Sequence, residues 1–348
     1  MSPAPLVECV PNFSEGRDRG IIEAIVSAMA GVTGTHVLDV SSGATANRTV
    51  VTIAGSPEAV LESAFRGVAV ATHQIDMRDQ RGVHPRIGAA DVVPLVPIRG
   101  IGMDVVVALA TRLSHRIGDE LGVPVYRYGR AAAPGRPTRL AALRRGQLDG
   151  LRERFEAGRL LPDDGPQRWS PRIARTGATA VGARGYLVAM NATLTTADIP
   201  LARSIARAIR TRGPAKRDAD GSVLRDSHGI PVREVGPFPG VRAIGWGIEE
   251  YDRSQVSMNL VQPAALSVHA LLCELDRLAR SGGAGVQGCE LIGLIPSAVL
   301  AEVGRDAGAT GDALDAGLRR LGLDHLKPCT VDDVVLERRL QAVGLLST

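Results

Sequence analysis

The chain of 348 residues is 45% hydrophobic and 22% charged, which predicts a folded protein with one large or two medium-sized domains. Aromatic residues make up only 3% of it and the formal net charge is only +4, so no nucleic-acid partner is expected. Arginine supplies nearly all of the positive charge, because Lys216 and Lys327 are the only lysines. Such arginine-rich basicity suits bidentate capture of carboxylates, although a GC-rich coding bias explains it equally well.

The cysteines and the hydropathy pattern exclude further classes. Cys9, Cys273, Cys289 and Cys329 lie far apart and have neither zinc-ligand nor disulfide-framework spacing, so no metal site is expected. No stretch is apolar enough to span a membrane, and the first residues lack the basic and apolar segments of a signal peptide. We therefore expect a cytoplasmic protein with no membrane partner.

The first half of the chain alternates predicted strands and helices. Hydrophobic spacing predicts, in chain order, a strand over 6–13, a helix over 16–30, strands over 36–40 and 48–54, a helix over 57–74 and a strand over 92–98. The order is β-α-β-β-α-β. A charged amphipathic helix is then predicted over 138–158, followed by a turn-rich connection over 161–184.

The second half repeats that order. The predicted elements are a strand over 186–194, a helix over 199–212, strands over 241–249 and 255–261, a helix over 264–280 and a strand over 290–295. The sequence thus predicts an α+β fold with two ferredoxin-like β-α-β-β-α-β subdomains, residues 1–181 and 182–340. Each should have an antiparallel sheet, with a ligand cleft between them.

Two further segments of the second half have a distinct composition. Residues 213–240 are polar and rich in proline, which predicts a mobile surface insertion that is either a lid or a tolerated loop. Residues 297–346 are predicted to be helical with breaks at glycines.

The segment Gly-Val-His-Pro-Arg-Ile-Gly-Ala-Ala-Asp, residues 82–91, is the strongest candidate for chemistry. Pro85 forces an extended backbone on His84, and glycines bracket the loop. Arg86 and Asp91 follow His84 within the same short loop. An imidazole held in this way suits general acid–base catalysis, whereas the simpler interpretation is a surface loop that leads into a strand.

Several short motifs together resemble the glutamate formimidoyltransferase family. They are LVECVPNFSEG (6–16), NRT (47–49), GVHPRIGAAD (82–91), VPVYRYG (123–129), GATAVGAR (177–184), AIGW (243–246) and QVSMNL (255–260). The resemblance extends from about residue 6 to about residue 340. Some family members carry a fused cyclodeaminase, whereas this chain has only the transferase portion, so no deaminase activity is expected.

The resemblance implies transfer of a formimidoyl group between N-formimidoyl-L-glutamate and tetrahydrofolate, giving 5-formimidoyltetrahydrofolate and L-glutamate in histidine degradation and one-carbon metabolism. It implies tetrahydrofolate as co-substrate without a metal, a homodimer, and His84 as the catalytic residue. The folate-binding stretch of the family falls on residues 165–177. This sequence departs there, because its stretch is longer and more basic than is usual in the family.

The chemistry suggests partners for His84. A carboxylate should hold its tautomer, and Asp39, at the end of the central strand of the first half, is the candidate, with Asp91 behind it. Arg48 and Arg86 lie inside motifs and are candidate clamps for substrate carboxylates. Asn12 could bond a pterin edge or an oxyanion. A structural role in a turn is the alternative for Asp39, Asp91 and Asn12.

The remaining candidate folate contacts lie in one region. They are Gly165, Pro166, Trp169, Thr176, Gly177, Ala178 and Thr179. The Gly-Ala-Thr run would let the backbone approach a flat ring closely.

Two alternative functions stay open. One is a formimidoyl or formyl transferase of the same fold with a different amine partner, which the altered 165–177 stretch suggests. The other is a non-catalytic folate-binding protein. The intact His84 motif argues against the second, because binding alone needs no base.

Overall fold

A computed structural model describes residues 4–226, 229 and 231–347. The chain divides into two compact units, which we call the first and the second subdomain. The first runs to Gly185 and includes Val343–Leu345, and the second covers most of Tyr186–Ala342. Arg99 Nη2 donates to the carbonyl oxygen of Leu345 (3.1 Å), which ties this late segment to the first subdomain.

The first subdomain begins with the predicted order and continues with six more elements. The first seven are β1 (Leu6–Cys9), β2 (Asn12–Phe13), α1 (Arg19–Ala30), β3 (Thr35–Gly43), β4 (Arg48–Gly55), α2 (Pro57–Gln74) and β5 (Ala90–Arg99). The others are α3 (Met103–Leu121), β6 (Val125–Gly129), α4 (Leu140–Leu143), α5 (Gln147–Glu156), α6 (Pro171–Thr176) and β7 (Thr179–Ala183). The predicted first strand is split between β1 and β2, where Pro11 has no N–H to donate.

All seven strands of this subdomain belong to one sheet. β3, β4, the β1–β2 strand and β5 lie side by side in that order and are antiparallel. β7 pairs with β5 in parallel, with Val92 opposite Ala180, and β6 pairs with β7 in parallel. The sheet is therefore mixed, which corrects the expectation of a purely antiparallel sheet here. Parallel neighbours need long crossover connections, and α3 supplies the one from β5 to β6.

One face of this sheet is buried against α1, α2 and α3. Cys9, Ile53 and Leu95 are paired across neighbouring strands, so their side chains share this face. They pack in one apolar core with Ile25 of α1 and Leu61 of α2. Burying each large aliphatic side chain stabilises the fold by roughly 1.5–3 kcal/mol, which fixes the strands below the site.

The opposite face carries polar side chains at one end and a second apolar core at the other. Asn12 is paired with Val50 of β4, and Asp39 is paired with Thr52 of the same strand. Val50 and Thr52 lie two and four residues after Arg48, so the side chains of Asn12 and Asp39 share a sheet face with that of Arg48. The second core contains Ile87, Val92, Tyr126, Tyr128, Leu143 of α4, Leu151 and Phe155 of α5, Ile173 of α6, Ala178 and Ala180.

Two predictions in this half need correction. The helix expected over 138–158 is two helices, α4 and α5, because Gly146 and Gln147 both have positive φ angles (73° and 52°) that no α-helix continues through. The connection expected over 161–184 contains α6 and β7. Its Ala-Val-Gly-Ala run is a short strand buried on both faces, which carries no alternating pattern.

The second subdomain has the predicted order with a ribbon inserted after its first helix. Its elements are β8 (Leu187–Leu194), α7 (Ile199–Ile209), β9 (Arg212–Ala215), β10 (Arg233–Val235), β11 (Val241–Ile248), β12 (Arg253–Val261), α8 (Val268–Ser281), β13 (Val286–Ile292), α9 (Ser297–Asp306), α10 (Ala313–Leu321), α11 (Val331–Val334) and α12 (Leu336–Ala342). The four main strands form an antiparallel sheet in the order β11, β12, β8, β13. Counted along the chain, both subdomains therefore place their strands in the lateral order second, third, first, fourth.

The sheet of the second subdomain also has an apolar and a polar face. Ala192 is paired with Val256 and Cys289, and these side chains are buried with α7 and α8. The residues of opposite parity form a chain of polar contacts across the strands. Trp246 Nε1 donates to Gln255 (3.2 Å), whose amide donates to Thr193 (3.1 Å) and Glu290 (3.3 Å). These bonds satisfy Gln255 and Thr193, which are fully buried.

The insertion at 213–240 contains paired strands. β9 and β10 pair as a two-stranded antiparallel ribbon, and Val235 on it is 88% exposed. The exposure of Val235 agrees with the predicted surface position, and the choice between a lid and a tolerated loop stays open. Residues 227, 228 and 230 lie outside the described part of the chain.

The C-terminal segment is helical, as predicted, and is broken where Gly308 and Gly322 adopt positive φ angles. Among the described residues, no helix is long and apolar enough to cross a membrane.

Candidate active site

Three motifs of the first subdomain meet at one end of its sheet. Ser14 binds the loop before β5, since its N–H donates to the carbonyl of Ala89 (2.8 Å) and its hydroxyl to that of Gly88 (2.7 Å). Thr49 donates its hydroxyl to the carbonyl of Glu15 (2.6 Å). The segments 12–16, 47–49 and 84–91 are therefore held together by hydrogen bonds between them.

The buried carboxylate of Glu15 organises the turn before α1. Its Oε1 accepts the backbone N–H groups of residues 16–18 at 2.8–3.0 Å. Its Oε2 accepts from Gln80 (3.0 Å), which also accepts from the amide of Asn47. Asn47 has a positive φ of 46°, a conformation that asparagine tolerates better than most residues. The sequence analysis assigned no role to these three residues. Glu15 and Asn47 lie within the family motifs, whereas Gln80 lies outside them.

His84 is half-buried, with its ring surrounded by protein atoms. Its Nδ1 lies 2.8 Å from the carbonyl oxygen of Pro85 and its Nε2 lies 2.9 Å from Nη1 of Arg48, a pattern that favours the tautomer with the proton on Nδ1. Burial, followed by the positive charges of Arg48 and Arg144, lowers the pKa of His84 well below its usual value. The imidazole is therefore neutral at pH 7 and able to accept a proton.

Arg48, at the start of β4, is the direct neighbour of this ring. Its Nη1 lies 2.9 Å from Nε2 and 2.5 Å from Nδ1 of His84, and its Nη2 donates to the amide oxygen of Asn12. Burial and the charge of Arg144 lower the pKa of Arg48 to about 9, against the raising effect of Asp91. Arg48 thus contacts both Asn12 and His84, which the sequence analysis named as separate candidates; their roles stay predictions.

Arg86 is placed differently from what a substrate clamp requires. Its guanidinium donates to the backbone carbonyls of Asn47 (2.5 Å) and Ala46, and its Nε donates to that of His84 (3.2 Å). The residue is only 5% exposed. These bonds favour a role in holding the His84 loop against the 46–47 turn over the carboxylate clamp predicted from the sequence.

Asp91 and Arg144 extend the site. Asp91, at the start of β5, is buried, and its Oδ1 accepts from the N–H of Ile87 (2.9 Å). Its Oδ2 lies 2.5 Å from Nη2 of Arg144 and 3.9 Å from Nη1 of Arg48. Sequence reasoning placed Asp91 second to Asp39 and missed Arg144, because an arginine in a charged segment has the pattern of a solvated face.

Asp39 lies in the edge strand β3, on the same sheet face as Arg48. Its carboxylate accepts from the hydroxyl of Ser41 at 2.7 Å. In the register of β3 and β4 it stands opposite Thr52, four residues along β4 from Arg48 and so roughly 13 Å from it along the strand. Its role in holding the His84 tautomer stays a prediction.

The predicted folate stretch divides into an accessible and a buried part. Gly165, Pro166 and Trp169 are partly buried, and Trp169 packs edge-on against Phe155 with ring centroids 5.8 Å apart. Gly165 has a φ of 79° and lies against the carbonyl of Val123. Part of the surface of Gly165, Pro166 and Trp169 is therefore accessible to a ligand.

Thr176, Gly177, Ala178 and Thr179 are all buried. Gly177 (φ 65°) lies so close to the backbone of Ile87 and Gly88 that any Cβ there would overlap both. The absence of a side chain at Gly177 therefore lets the backbone pack against the His84 loop of the same chain, and not against a flat ligand. In this conformation the side chains of Thr176, Ala178 and Thr179 are buried within the protein.

The described residues contain no group of three or more His, Cys, Asp or Glu side chains placed to hold a metal ion.

The fold and this site together define a class of protein: an α+β chain with two subdomains of equal strand order and a neutral imidazole held among arginines. The sequence model of the formiminotransferase domain, N-terminal subdomain, matches residues 6–184, and that of the formiminotransferase domain matches residues 189–341. The chain belongs to the formiminotransferase family.

Its relatives include fused and stand-alone proteins. The formimidoyltransferase-cyclodeaminase of Rattus norvegicus is 37% identical over 345 residues, which are 95% of this chain and 59% of that protein. The glutamate formimidoyltransferases of Streptococcus pyogenes serotype M1 and Thermoplasma acidophilum are each 36% identical over 86% of this chain, covering 92% and 91% of their own lengths. The chain thus spans about 60% of the length of the rat protein and about nine-tenths of the length of the two stand-alone transferases.

Proposed function

We propose that this protein transfers a formimidoyl group between N-formimidoyl-L-glutamate and tetrahydrofolate, giving 5-formimidoyltetrahydrofolate and L-glutamate. The observation that carries the proposal is the neutral imidazole of His84 in contact with Arg48, inside motifs of the family. Relatives that this chain covers almost completely are named glutamate formimidoyltransferases.

The transfer requires one proton to move between two nitrogens. The N5 amine of the folate attacks the amidine carbon, and a C–N bond forms as the C=N bond becomes single. The proton lost by N5 passes to Nε2 of His84 and then to the nitrogen of glutamate, whose bond to that carbon breaks as the C=N bond re-forms. A positioned base of this kind contributes typically 10²–10⁴-fold to the rate.

The charges near His84 match the substrate. N-formimidoyl-L-glutamate carries two carboxylates, and the guanidinium groups of Arg48 and Arg144 both lie within ion-pair distance of one carboxylate, that of Asp91 (3.9 and 2.5 Å). We assign Arg48 to a substrate carboxylate, since it touches the imidazole and retains some exposure (15% of its side chain). Arg86 holds the loop.

Further properties belong to the same proposal. Tetrahydrofolate acts as a co-substrate and no metal takes part, because amine attack on an amidine needs neither redox chemistry nor a Lewis acid. Gly165, Pro166 and Trp169 are the proposed folate contacts in the 165–177 stretch. We propose a cytoplasmic homodimer that serves histidine degradation and one-carbon metabolism.

The decisive experiment is a turnover assay of the full chain with formimidoyl-glutamate and tetrahydrofolate, beside formyl-glutamate and formimidoyl-glycine as rival substrates. His84→Ala should lower kcat by about 10²-fold or more with folate affinity retained. His73→Ala, at an exposed position of α2, is the matched control and should leave kcat unchanged. Near-wild-type kcat in H84A, or preference for a rival substrate, would reject the proposal.

A further inference from the structure

Arg144 is anchored in a way that directs its side chain towards the site. It follows the short helix α4, with its N–H donating to the carbonyl of Leu140 (2.8 Å), while Leu143 beside it is 2% exposed in the second core. Its own side chain is only 12% exposed. Packing of α4 therefore fixes where the Arg144 guanidinium can reach.

A continuous chain of contacts leads from Arg144 to the imidazole. Arg144 Nη2 lies 2.5 Å from Asp91 Oδ2, the same oxygen lies 3.9 Å from Arg48 Nη1, and that nitrogen lies 2.9 Å from His84 Nε2. The negative charge of Asp91 is shared between the guanidinium groups of Arg144 and Arg48. The position of Arg48 against His84 thus depends on how Arg144 holds the carboxylate.

The buried Nε of Arg144 also lacks a hydrogen-bond partner within the described part of the chain. A buried donor without an acceptor costs about 1–3 kcal/mol, so its retention beside a candidate active site needs a reason.

We infer that Arg144 is a positioning residue for the reaction at His84, which holds Asp91 and, through it, sets Arg48 against the imidazole. The residue lies outside the family motifs recognised in the sequence. This inference rests on the proposed function only for its kinetic test.

The electrostatics agree with that geometry. The charged and titratable groups around His84 are Arg48 from β4, Arg144 after α4 and Arg86 of its own loop, with Asp91 of β5 and Tyr128 of β6 facing Arg48. Arg144 lowers the pKa of His84, Arg48 and Arg86 alike. Removing its charge should therefore make the imidazole easier to protonate.

The test compares Arg144→Gln with Arg145→Gln, which makes the same charge change one residue later at an exposed position. The imidazole of His84 is titrated by NMR in the intact chain, with its resonance assigned from His84→Asn. We expect its titration midpoint to move to higher pH in R144Q and to stay in place in R145Q. An unmoved midpoint in R144Q, or an equal movement in R145Q, would overturn the inference.

The kinetic test separates positioning from simple stabilisation. R144Q should lower kcat/KM by about 10²-fold, as misplacement of a reacting group does, and raise the acid limb of its pH profile. Arg144→Lys keeps the charge without the planar fork, so its NMR midpoint should stay near wild type while kcat/KM falls about tenfold. If R144Q does not fold, the inference is tested with R144K, and a wild-type kcat/KM in R144K would overturn it.

Failure of the wild-type chain to turn over would contradict the proposed function alone, because the NMR titration requires no turnover.

Discussion

At the residue scale, the two motif arginines have different surroundings despite similar sequence contexts. Arg48 contacts the imidazole of His84 and the amide of Asn12, whereas Arg86 donates to three backbone carbonyls. An arginine that donates to fixed carbonyls stabilises a conformation, while one beside the reacting group can bind substrate. Substitutions of the two should therefore have separable effects.

Arg48→Ala should raise KM for formimidoyl-glutamate more than it lowers kcat, because a carboxylate clamp binds ground and transition states alike. The loss of a charge-assisted pair corresponds to about 1.5–3 kcal/mol. Arg86→Ala, its matched partner, should instead lower the free energy of unfolding by about 2–4 kcal/mol, since the backbone carbonyls of Ala46, Asn47 and His84 lose their donor. Steady-state kinetics and urea unfolding of both variants check this. A KM effect in R86A with unchanged stability would show that Arg86 is the clamp.

The pH dependence of activity follows from the lowered pKa of His84. The reaction needs the unprotonated imidazole, and a base with a depressed pKa stays unprotonated to lower pH. We therefore expect kcat/KM to remain on its plateau as the pH falls through 6.5, the ordinary value, and to decline only at more acidic pH. A profile of kcat/KM over acidic to neutral pH, corrected for enzyme stability, measures this. An acid limb centred at or above 6.5 would contradict it.

At the scale of elements, the site depends on one close crossing of backbones. Gly88 and Gly177 form an isolated bridge between the His84 loop and the segment from α6 to β7. The N–H of Ala178 donates to the carbonyl of Ile87 (2.8 Å), and the N–H of Ala89 to that of Thr176 (2.8 Å). This crossing fixes the end of the loop whose other end is held by Arg86.

Gly177→Ala should destabilise the first subdomain by about 2 kcal/mol or more, because the new Cβ would overlap Ile87 and Gly88 and the φ of 65° disfavours alanine. Gly185→Ala is the control, since no atom lies within 4 Å of a Cβ added there. Thermal unfolding of both variants gives the comparison. Equal melting temperatures for G177A and wild type would contradict this prediction, because the His84 loop and the segment from α6 to β7 could then move apart at little cost in stability.

At the scale of the whole molecule, the two subdomains show that one strand order supports different faces. In the first, the polar positions opposite the helices include Arg48 and Asn12; in the second, they form the chain from Trp246 through Gln255 to Glu290. The excess of positive charge, +4 overall, is modest but has the sign that attracts a substrate with two carboxylates.

The rate of substrate capture should accordingly depend on salt. We expect kcat/KM to fall several-fold between roughly 0.02 and 0.5 M NaCl, as the Debye length shrinks from about 20 Å to a few ångströms. The value of kcat should change little, because the arginines around His84 are largely buried and screened less. Kinetics in NaCl and in an equal concentration of a neutral osmolyte distinguish screening from an effect on water activity. Salt-independent kcat/KM would exclude steering by charge.

The sequence by itself determined the order of the main elements over 6–98 and 186–295, and it singled out His84 as the candidate catalytic residue. Periodicity of apolar residues decides between strand and helix over 6–98 and 186–295, because each element must bury one face. The His-Pro-Arg segment stood out because proline and glycine restrict the local backbone whatever the rest of the chain does.

Only the tertiary structure decided the rest. Several features involve residues that are distant in sequence. They are the parallel pairing of β6 and β7, the break between α4 and α5, the hydrogen bonds of Arg86 to backbone carbonyls and the placement of Arg144 beside Asp91. Local patterns report which residues favour burial or a turn, but not which distant segments pair. Whether an arginine binds a substrate, a carbonyl or a carboxylate depends on its neighbours in space, and those are set by the packing of the whole subdomain.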